Sequence, residues 1–207
     1  MKIVRIENNT KALGPGNRAV IWVYGCSRSC KGCIAKEMNT SGKYESFTPI
    51  ELFERISTIE NIEGITISGG EPFEQPLEEF LEFLELIRKN TNFSVMCYTG
   101  NTLDELRQKE QAKLIEQIFK NIDILVDGRY EETLNNGVIW RGSSNQKLHF
   151  LTDRYSDLSY LNDKIDRKLE FHIDKNMELM LIGTPPVGFV EKLTEKLNNN
   201  GIGINKE

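Results

Sequence analysis

Three cysteines, Cys26, Cys30 and Cys33, lie within one eight-residue stretch of the chain. The spacing Cys-x3-Cys-x2-Cys places three thiolates on one tight loop, and soft thiolates suit iron–sulfur clusters and zinc. Three ligands would leave one iron of a four-iron cluster open to a substrate, as catalytic metals generally require. The spacing favours such a cluster and leaves a zinc site and a redox dithiol as alternatives. A zinc site would need a fourth ligand, and the only histidines, His149 and His172, are distant in sequence.

The composition narrows the class of protein. The chain has 207 residues, of which 39% are hydrophobic and 28% charged, typical of one globular domain with or without a small appendage. The net charge of −5 and the lack of a long basic stretch argue against nucleic-acid binding through phosphate contacts. No apolar run approaches the roughly 18 residues that span a membrane, and residues 1–10 do not resemble a secretory signal. We therefore expect a cytoplasmic protein with reduced thiols.

Strand and helix patterns alternate along the first part of the chain. Short apolar runs predict strands at residues 18–24, 64–68, 93–98 and 122–126. Capping boxes beginning at Thr48 and Thr102 predict helices between them, the second reaching about Lys120. A further helix is predicted after Pro76. This alternation is typical of βαβ units around a parallel sheet, so we expect an α/β fold.

Segments rich in glycine and polar residues directly follow these predicted strands. They are the cysteine loop, Gly69-Gly70, Tyr98-Thr99-Gly100 and Asp127-Gly128. Right-handed crossovers bring the carboxyl ends of parallel strands to one edge of a sheet. We therefore expect these segments to share one rim and to form the functional site.

The pattern changes after Gly128. A strand is predicted at residues 147–151, two more at 169–173 and 178–182 around a turn at Asp174-Lys175-Asn176, and a helix at 186–199. We therefore divide the chain into a core, residues 1–150, and a small β-β-α extension, residues 151–207, which we expect to pack on the core.

Other reactive side chains occur within strand patterns. Cys97 lies inside the third predicted strand and is expected to be a small buried hydrophobic residue. His149 and His172 each lie beside phenylalanines, so we expect structural rather than catalytic histidines.

The cysteine motif resembles the signature of the radical S-adenosylmethionine superfamily. Gly69-Gly70-Glu71-Pro72, after the second predicted strand, resembles that superfamily's second signature, although a Gly-Gly turn between strand and helix is its simpler interpretation. The resemblance implies that Cys26, Cys30 and Cys33 ligate a [4Fe–4S] cluster whose fourth iron is chelated by S-adenosylmethionine. It also implies a partial, open β/α barrel, with the C-terminal extension attached to it.

The resemblance also implies which residues contact the cofactor. Those residues are Gly32, Cys33, Ile34, Gly69, Gly70, Glu71, Asp127 and Asn145. The backbone of Gly32–Ile34 would lie beside the adenosyl group. Gly69–Glu71 would bind the methionine amino group through carbonyls and a carboxylate, and Asp127 and Asn145 would approach from later strands. No catalytic residue is implied beyond the cluster and the cofactor.

Three further segments narrow the resemblance. Gly14–Arg18 is similar to a segment of the glycyl-radical-activating enzymes, and Asp127–Arg129 and Arg141–Gln146 are similar to segments of the activases of anaerobic ribonucleoside-triphosphate reductase. Flavodoxin or ferredoxin would then reduce the cluster, and a 5′-deoxyadenosyl radical would take a hydrogen from a glycine of that class III reductase. The resemblance covers about residues 10–150 and fades in the extension.

Two other functions stay open. The chain could direct the same radical chemistry at a peptide or a small molecule, with the extension recognising that substrate. It could also be a non-catalytic zinc or iron–sulfur binding module, in which case Gly70 and Glu71 would be replaceable without loss.

Overall fold

A computed structural model of the chain describes residues 1–40, 42–173 and 179–201. The strands within these residues are Lys2–Thr10 (β1), Arg18–Val23 (β2), Glu45–Ser46 (β3), Gly64–Gly69 (β4), Ser94–Tyr98 (β5), Ile124–Asp127 (β6), Lys147–Phe150 (β7), Leu169–Ile173 (β8) and Leu179–Gly183 (β9). The α-helices are Lys36–Thr40 (α1), Pro49–Ser57 (α2), Leu77–Asn90 (α3), Leu103–Arg107 (α4), Ala112–Phe119 (α5) and Phe189–Asn199 (α6). Segments of 3-10 helix cover Pro72–Glu74, Glu132–Leu134 and Asp153–Asp163.

Among the described residues, seven strands form one sheet in the order β3-β1-β2-β4-β5-β6-β7. The central strands β2, β4, β5 and β6 pair in parallel, and β1, β3 and β7 join them in antiparallel pairs. The four parallel strands confirm the strands predicted from apolar runs, to within two residues at each end. Strands of a parallel sheet are covered on both faces, and they therefore appear in the sequence as continuous apolar runs.

The sheet and its helices alternate along the chain in one α/β arrangement. The strand order gives an open sheet, with β3 at one edge and β7 at the other. The strand order alone does not establish the curvature of a barrel, so the partial β/α barrel stays a prediction. The division into a core and an extension at about residue 150 also stays a prediction.

Capping boxes begin two of the helices, as predicted. At α2 the hydroxyl of Thr48 accepts a hydrogen bond from the backbone N–H of Glu51, whose carboxylate accepts one from the backbone N–H of Thr48. Thr102 and Glu105 make the same reciprocal pair at α4. These bonds satisfy N–H groups that a helix start leaves without partners. Among the described residues, no helix combines the length and the apolar character needed to cross a membrane.

Two features of the core depart from the predictions. The helix predicted from Thr102 to about Lys120 is two helices, because the polar segment at residues 108–111 has no apolar side chain to hold a continuous helix against the sheet. Strand β1 was not predicted. Its charged residues, among them Arg5 and Glu7, obscure the alternation of apolar and polar residues that is typical of a strand. Its pairing with β2 is seen only in the structure.

The two faces of the sheet are covered by different parts of the chain. On one face, Ile21, Ile67 and Leu125 pack against buried side chains of α2, α3 and α5. On the opposite face, Val20 and Trp22 pack with Ile182 of β9. Alternate residues of β2 point to opposite faces, so this single strand contributes to both cores.

The C-terminal hairpin contacts the first strand through polar groups as well. Strands β8 and β9 pair in antiparallel fashion, and the predicted turn Asp174-Lys175-Asn176 lies outside the described residues. Glu170 accepts hydrogen bonds from the Thr10 hydroxyl at 2.6 Å and from the backbone N–H of Lys11 at 2.8 Å. The ring of His172 lies 3.1 Å from Glu7 and 3.3 Å from Glu170. His172 therefore has a structural role, as predicted.

We expect Ile182→Ala to lower the free energy of unfolding by roughly 2–5 kcal/mol, the usual cost of removing a buried isoleucine side chain. Ile182 is 1% exposed and packs beside Trp22. Ile173→Ala in the partner strand is the matched control, because that side chain is 63% exposed. Urea unfolding followed by circular dichroism measures both variants. Equal effects of the two substitutions would contradict the packing of β9 on the sheet.

Candidate functional site

The carboxyl ends of the parallel strands bring the predicted site segments to one rim. The backbone N–H of Gly70 bonds the Val23 carbonyl at 2.7 Å, and that of Glu71 bonds the Gly25 carbonyl at 2.8 Å. On the other side, the N–H of Thr99 bonds the Val126 carbonyl at 2.8 Å. The loop after β4 therefore contacts the loop after β2, and the loop after β5 contacts the end of β6.

The three loop cysteines are partly buried and form no disulfide bond. Burial raises the pKa of Cys26, and the charges of Glu71 and Glu74 raise it further. Burial also raises the pKa of Cys33. Across residues 1–40, 42–173 and 179–201, no three His, Cys, Asp or Glu side chains converge as a metal site. Ligation by all three thiolates therefore requires their sulfurs to come together and to lose their protons.

The Gly-Gly turn fits closely against the start of the cysteine loop. A Cβ atom at Gly70 would lie 2.2 Å from the Gly25 carbonyl oxygen and 2.9 Å from Oδ1 of Asn39. That Asn39 oxygen is buried and has no hydrogen-bond partner. Only glycine permits this approach, so the turn and the cysteine loop form one continuous surface. Three soft thiols on one loop, together with the unpaired oxygen of Asn39 beside the turn, fit a cluster with a further polar ligand.

The carboxylate of Glu71 is buried, with the residue 1% exposed. Its Oε1 accepts hydrogen bonds from the Thr99 hydroxyl at 2.7 Å and from the backbone N–H of Phe73 at 3.1 Å. Its Oε2 accepts from the backbone N–H of Gly100 at 2.8 Å and from Arg28 at 3.2 Å. Burial raises the pKa of Glu71, and these hydrogen bonds act in the opposite direction. Both oxygens are thus engaged by protein donors, and a contact with the cofactor amino group stays a prediction.

Asp127 ends β6 and is also engaged by protein groups. Its carboxylate accepts hydrogen bonds from the backbone N–H of Leu103 at 2.7 Å and of Lys147 at 3.3 Å, and lies 2.9 Å from Nε2 of His149. Burial acts to raise the pKa of Asp127, but the bonds from His149 and Leu103 outweigh it and leave the pKa below its usual value. Asp127 therefore joins α4 to β7, and its predicted approach to the cofactor stays a prediction.

The polar segment Arg141–Gln146 closes on itself and on the end of β6. The side-chain oxygen of Gln146 accepts hydrogen bonds from the backbone of Gly142 at 2.9 Å and Ser143 at 3.2 Å, and its amide donates to the Gly128 carbonyl at 2.9 Å. Asn145 donates to the Arg129 carbonyl at 2.8 Å, and its own buried side-chain oxygen has no partner. The unpaired oxygen leaves Asn145 able to accept a further hydrogen bond.

The second half of the cysteine loop faces the segment that follows β6. Gly32 has a positive φ of 72°, and a Cβ there would lie 2.7 Å from a carboxylate oxygen of Glu132. Lys31 lies 3.2 Å from the same carboxylate group. Ile34 is 56% exposed, so its side chain is available to a ligand. Contact of Gly32–Ile34 with the adenosyl group stays a prediction.

Arg18 lies at the opposite end of β2 from the cysteine loop. Its guanidinium is fully buried and donates to the hydroxyls of Thr66 and Ser94, each at 2.7 Å. Burial lowers the pKa of Arg18 to about 10, so the group stays charged at neutral pH. The segment Gly14–Arg18 therefore stabilises the amino ends of the parallel strands.

The sequence placed Thr99 and Arg28 in segments of the site but did not predict their contacts, and it missed Asn101. Thr99 and Asn101 carry hydrogen bonds that connect the loops after β4 and β5, and Arg28 reaches both loops from between two cysteines. Their position directly after a strand or inside the cysteine motif was the available signal. Cys97 is fully buried in the core, as predicted.

Comparison with known proteins identifies similar chains. A family model described as a 4Fe-4S single cluster domain matches residues 12–149. The anaerobic ribonucleoside-triphosphate reductase-activating protein of enterobacteria phage T4 is 31% identical over 68% of this chain and 88% of its own length. The proteins of the same name from Escherichia coli K12 and Salmonella typhimurium are 32% and 33% identical, each over 67% of this chain and 91% of their own length.

We expect Glu71→Gln to lower the free energy of unfolding by about 1–3 kcal/mol. The substitution places an amide NH2 group against donors that now bind a carboxylate, which leaves buried hydrogen-bond donors unsatisfied. Glu82→Gln, on the exposed side of α3, is the matched control. Urea unfolding of the metal-free protein measures both, and a Glu71→Gln variant as stable as the control would contradict the role of this carboxylate in joining the loops.

The lowered pKa of Asp127 predicts a pH-dependent contribution to stability. A carboxylate whose pKa is lower in the folded than in the unfolded chain stabilises the fold above its unfolded pKa of about 3.9, and this stabilisation is lost as the pH falls through the folded value. The difference in unfolding free energy between the wild type and Asp127→Asn should therefore be largest near neutral pH and narrow below about pH 4. A difference that is constant from neutral to acid pH would contradict this assignment.

Proposed function

The chain belongs to the family of anaerobic ribonucleoside-triphosphate reductase-activating proteins, and we propose that it is a radical S-adenosylmethionine activase acting on a class III ribonucleotide reductase. Its cofactors would be a [4Fe–4S] cluster and S-adenosylmethionine. A flavodoxin or ferredoxin would supply the electron. The proposed product is a glycyl radical on the reductase.

One observation carries the proposal. The three-cysteine loop and the Gly-Gly turn pack directly against each other, so that a side chain at Gly70 would collide with Gly25. Both segments lie inside residues 12–149, the part of the chain that matches the 4Fe-4S single cluster domain. A simple Gly-Gly turn would not need this close approach to Gly25, the residue directly before Cys26. A small polar ligand of the cluster would then lie beside the backbone of the turn.

The residues of the chain would bind and orient these groups. Cys26, Cys30 and Cys33 would hold the cluster, which when bound supplies the electron for reductive cleavage of S-adenosylmethionine and for radical formation. The backbone carbonyls of Gly69 and Gly70 would accept hydrogen bonds from the methionine amino group. Glu71 would fix the turn that carries those carbonyls, because it accepts hydrogen bonds from Thr99 and Gly100 on one side and from Arg28 of the cysteine loop on the other.

Further roles follow for the surrounding residues. The backbone of Gly32–Ile34 would lie beside the adenosyl group, and the unpaired side-chain oxygen of Asn145 would accept a hydrogen bond from the cofactor. Asp127 would act indirectly, because its hydrogen bonds hold α4 and β7 at the rim. A partial barrel with an open side would admit the glycine loop of the reductase. Ligation of the cluster needs reduced thiols, so the proposed location of this activity is the cytoplasm.

The extension supports one alternative function, in which the same chemistry acts on a different substrate. Residues 150–207 lie outside the part that matches the family model, although β9 packs on the sheet beside Trp22. An added element so close to the site could recognise a peptide or a small molecule in place of the reductase. The radical chemistry would be unchanged.

The proposal is tested by reconstituting the protein with iron and sulfide without oxygen, reducing it and adding S-adenosylmethionine. We expect 5′-deoxyadenosine from the wild type, and a glycyl radical in the electron paramagnetic resonance spectrum after mixing with the reductase. Cys30→Ala should abolish product because two thiolates do not hold the cluster. Cys97→Ala is the control for loss of a thiol, because Cys97 is fully buried in the core and is not part of the cysteine loop.

Zinc in place of iron, with no 5′-deoxyadenosine from the wild type, would contradict the proposal and favour a binding module. Product without a glycyl radical on the reductase would instead favour a different substrate.

A further inference from the structure

Arg28, between the first two cysteines, connects the cysteine loop to two neighbouring loops of the rim. Its Nη1 lies 3.2 Å from Oε2 of Glu71 and 3.5 Å from Oε1 of Glu74, and its Nη2 donates to Oδ1 of Asn101 at 2.5 Å. Glu71 and Glu74 follow β4, and Asn101 follows β5. The side chain of Arg28 is largely buried, so these charged contacts are poorly screened by water.

The shape of the rim matches the Arg28 side chain. A Cβ atom at Gly100 would lie 2.8 Å from Cδ of Arg28 and 3.1 Å from its Nε. The aliphatic part of the side chain thus rests on the bare backbone of Gly100. The neighbouring residue Ser27 adds a second attachment, because its backbone N–H and its hydroxyl both donate to Glu74, at 2.8 and 2.5 Å.

The acceptors of Arg28 are themselves held by the sheet. Glu71 is bonded by Thr99 and Gly100, and the Asn101 amide donates to the Thr99 hydroxyl at 3.0 Å. The Asn101 carbonyl in turn accepts from the N–H of Gly128 at 2.8 Å. The guanidinium therefore binds a fixed set of acceptors that involves no cysteine thiol. A lysine offers a single point charge and would not span acceptors on both loops as the planar guanidinium does.

We propose that Arg28 is a positioning residue that holds the Cys26–Cys30 segment on the rim before a cluster is bound. The inference rests on the proposed function, in which this loop carries a [4Fe–4S] cluster. Ordering a loop when it binds a metal is unfavourable in entropy, and Arg28 reduces that loss by ordering the loop in advance. Substitution of a residue that orients metal ligands typically lowers metal affinity by about 10- to 100-fold.

The test compares Arg28→Ala and Arg28→Lys with Lys31→Ala. Lys31→Ala removes the same charge from the same loop, but the Lys31 side chain is 89% exposed and its ion pair among the described residues is with Glu132 at the edge of the site. In metal-free protein, mass spectrometry follows the alkylation of each thiol, with the buried Cys97 as an internal measure of global unfolding. In reconstituted protein, the rate of iron loss to a chelator is measured.

In the Arg28→Ala variant, we expect Cys26 to be alkylated about tenfold faster than in wild type and iron to be lost about tenfold faster. Arg28→Lys should be intermediate, because it keeps the charge without the planar contacts. Lys31→Ala should resemble wild type, and Cys97 should stay protected in every variant. This pattern separates a local effect on the loop from a general loss of stability, because a general loss would expose Cys97 as well.

The inference is overturned if Arg28→Ala matches wild type in both rates, if Lys31→Ala changes them equally, or if Cys97 becomes reactive together with the loop thiols. Failure of the proposed function gives a different result. Wild type would then make no 5′-deoxyadenosine, while the dependence of loop protection on Arg28 would persist in the metal-free protein.

Discussion

The geometry of the rim depends on one buried carboxylate, that of Glu71. A charged group removed from water is tolerated only when donors surround it, and here the donors come from three different loops. The Thr99 hydroxyl and the Gly100 N–H are the donors from the loop after β5, and Arg28 is the donor from the cysteine loop. To keep this carboxylate satisfied, the three loops must stay together. The Gly-Gly turn beside it is thereby held against Gly25.

The same constraint explains why glycines occur where they do. The backbone of the turn must approach the cysteine loop closely, and Gly70 lacks the Cβ atom that would collide with the Gly25 carbonyl. Gly100 likewise leaves room for the Arg28 side chain. A motif that the sequence associates with cofactor binding therefore has a structural task as well. Orientation of the backbone carbonyls and orientation of the thiol loop are two results of one hydrogen-bond network.

Much of this fold was predictable because its signals are local. The parallel strands are continuous apolar runs, and Thr48 and Thr102 begin capped helices as their sequences indicate. The break before α5 was missed although the polar residues 108–111 mark it, whereas strand β1 is defined by its pairing with β2, which the sequence does not show. Contacts between separate segments of the chain also define the site. The three cysteines are adjacent in sequence, whereas Arg28 and Asn101 are 73 positions apart and carry no shared pattern.

In the proposed function, three thiolates of one loop hold a four-iron cluster and leave one iron for S-adenosylmethionine. Mössbauer spectroscopy of protein reconstituted with 57Fe tests it most directly, because an iron without a cysteine ligand differs in its environment from the others. On addition of S-adenosylmethionine, we expect one quarter of the cluster iron to change its spectrum while the rest stays as it was. A cluster in which no iron site changes its spectrum when S-adenosylmethionine is added, or a loop that retains zinc and no iron, would contradict this arrangement of the ligands.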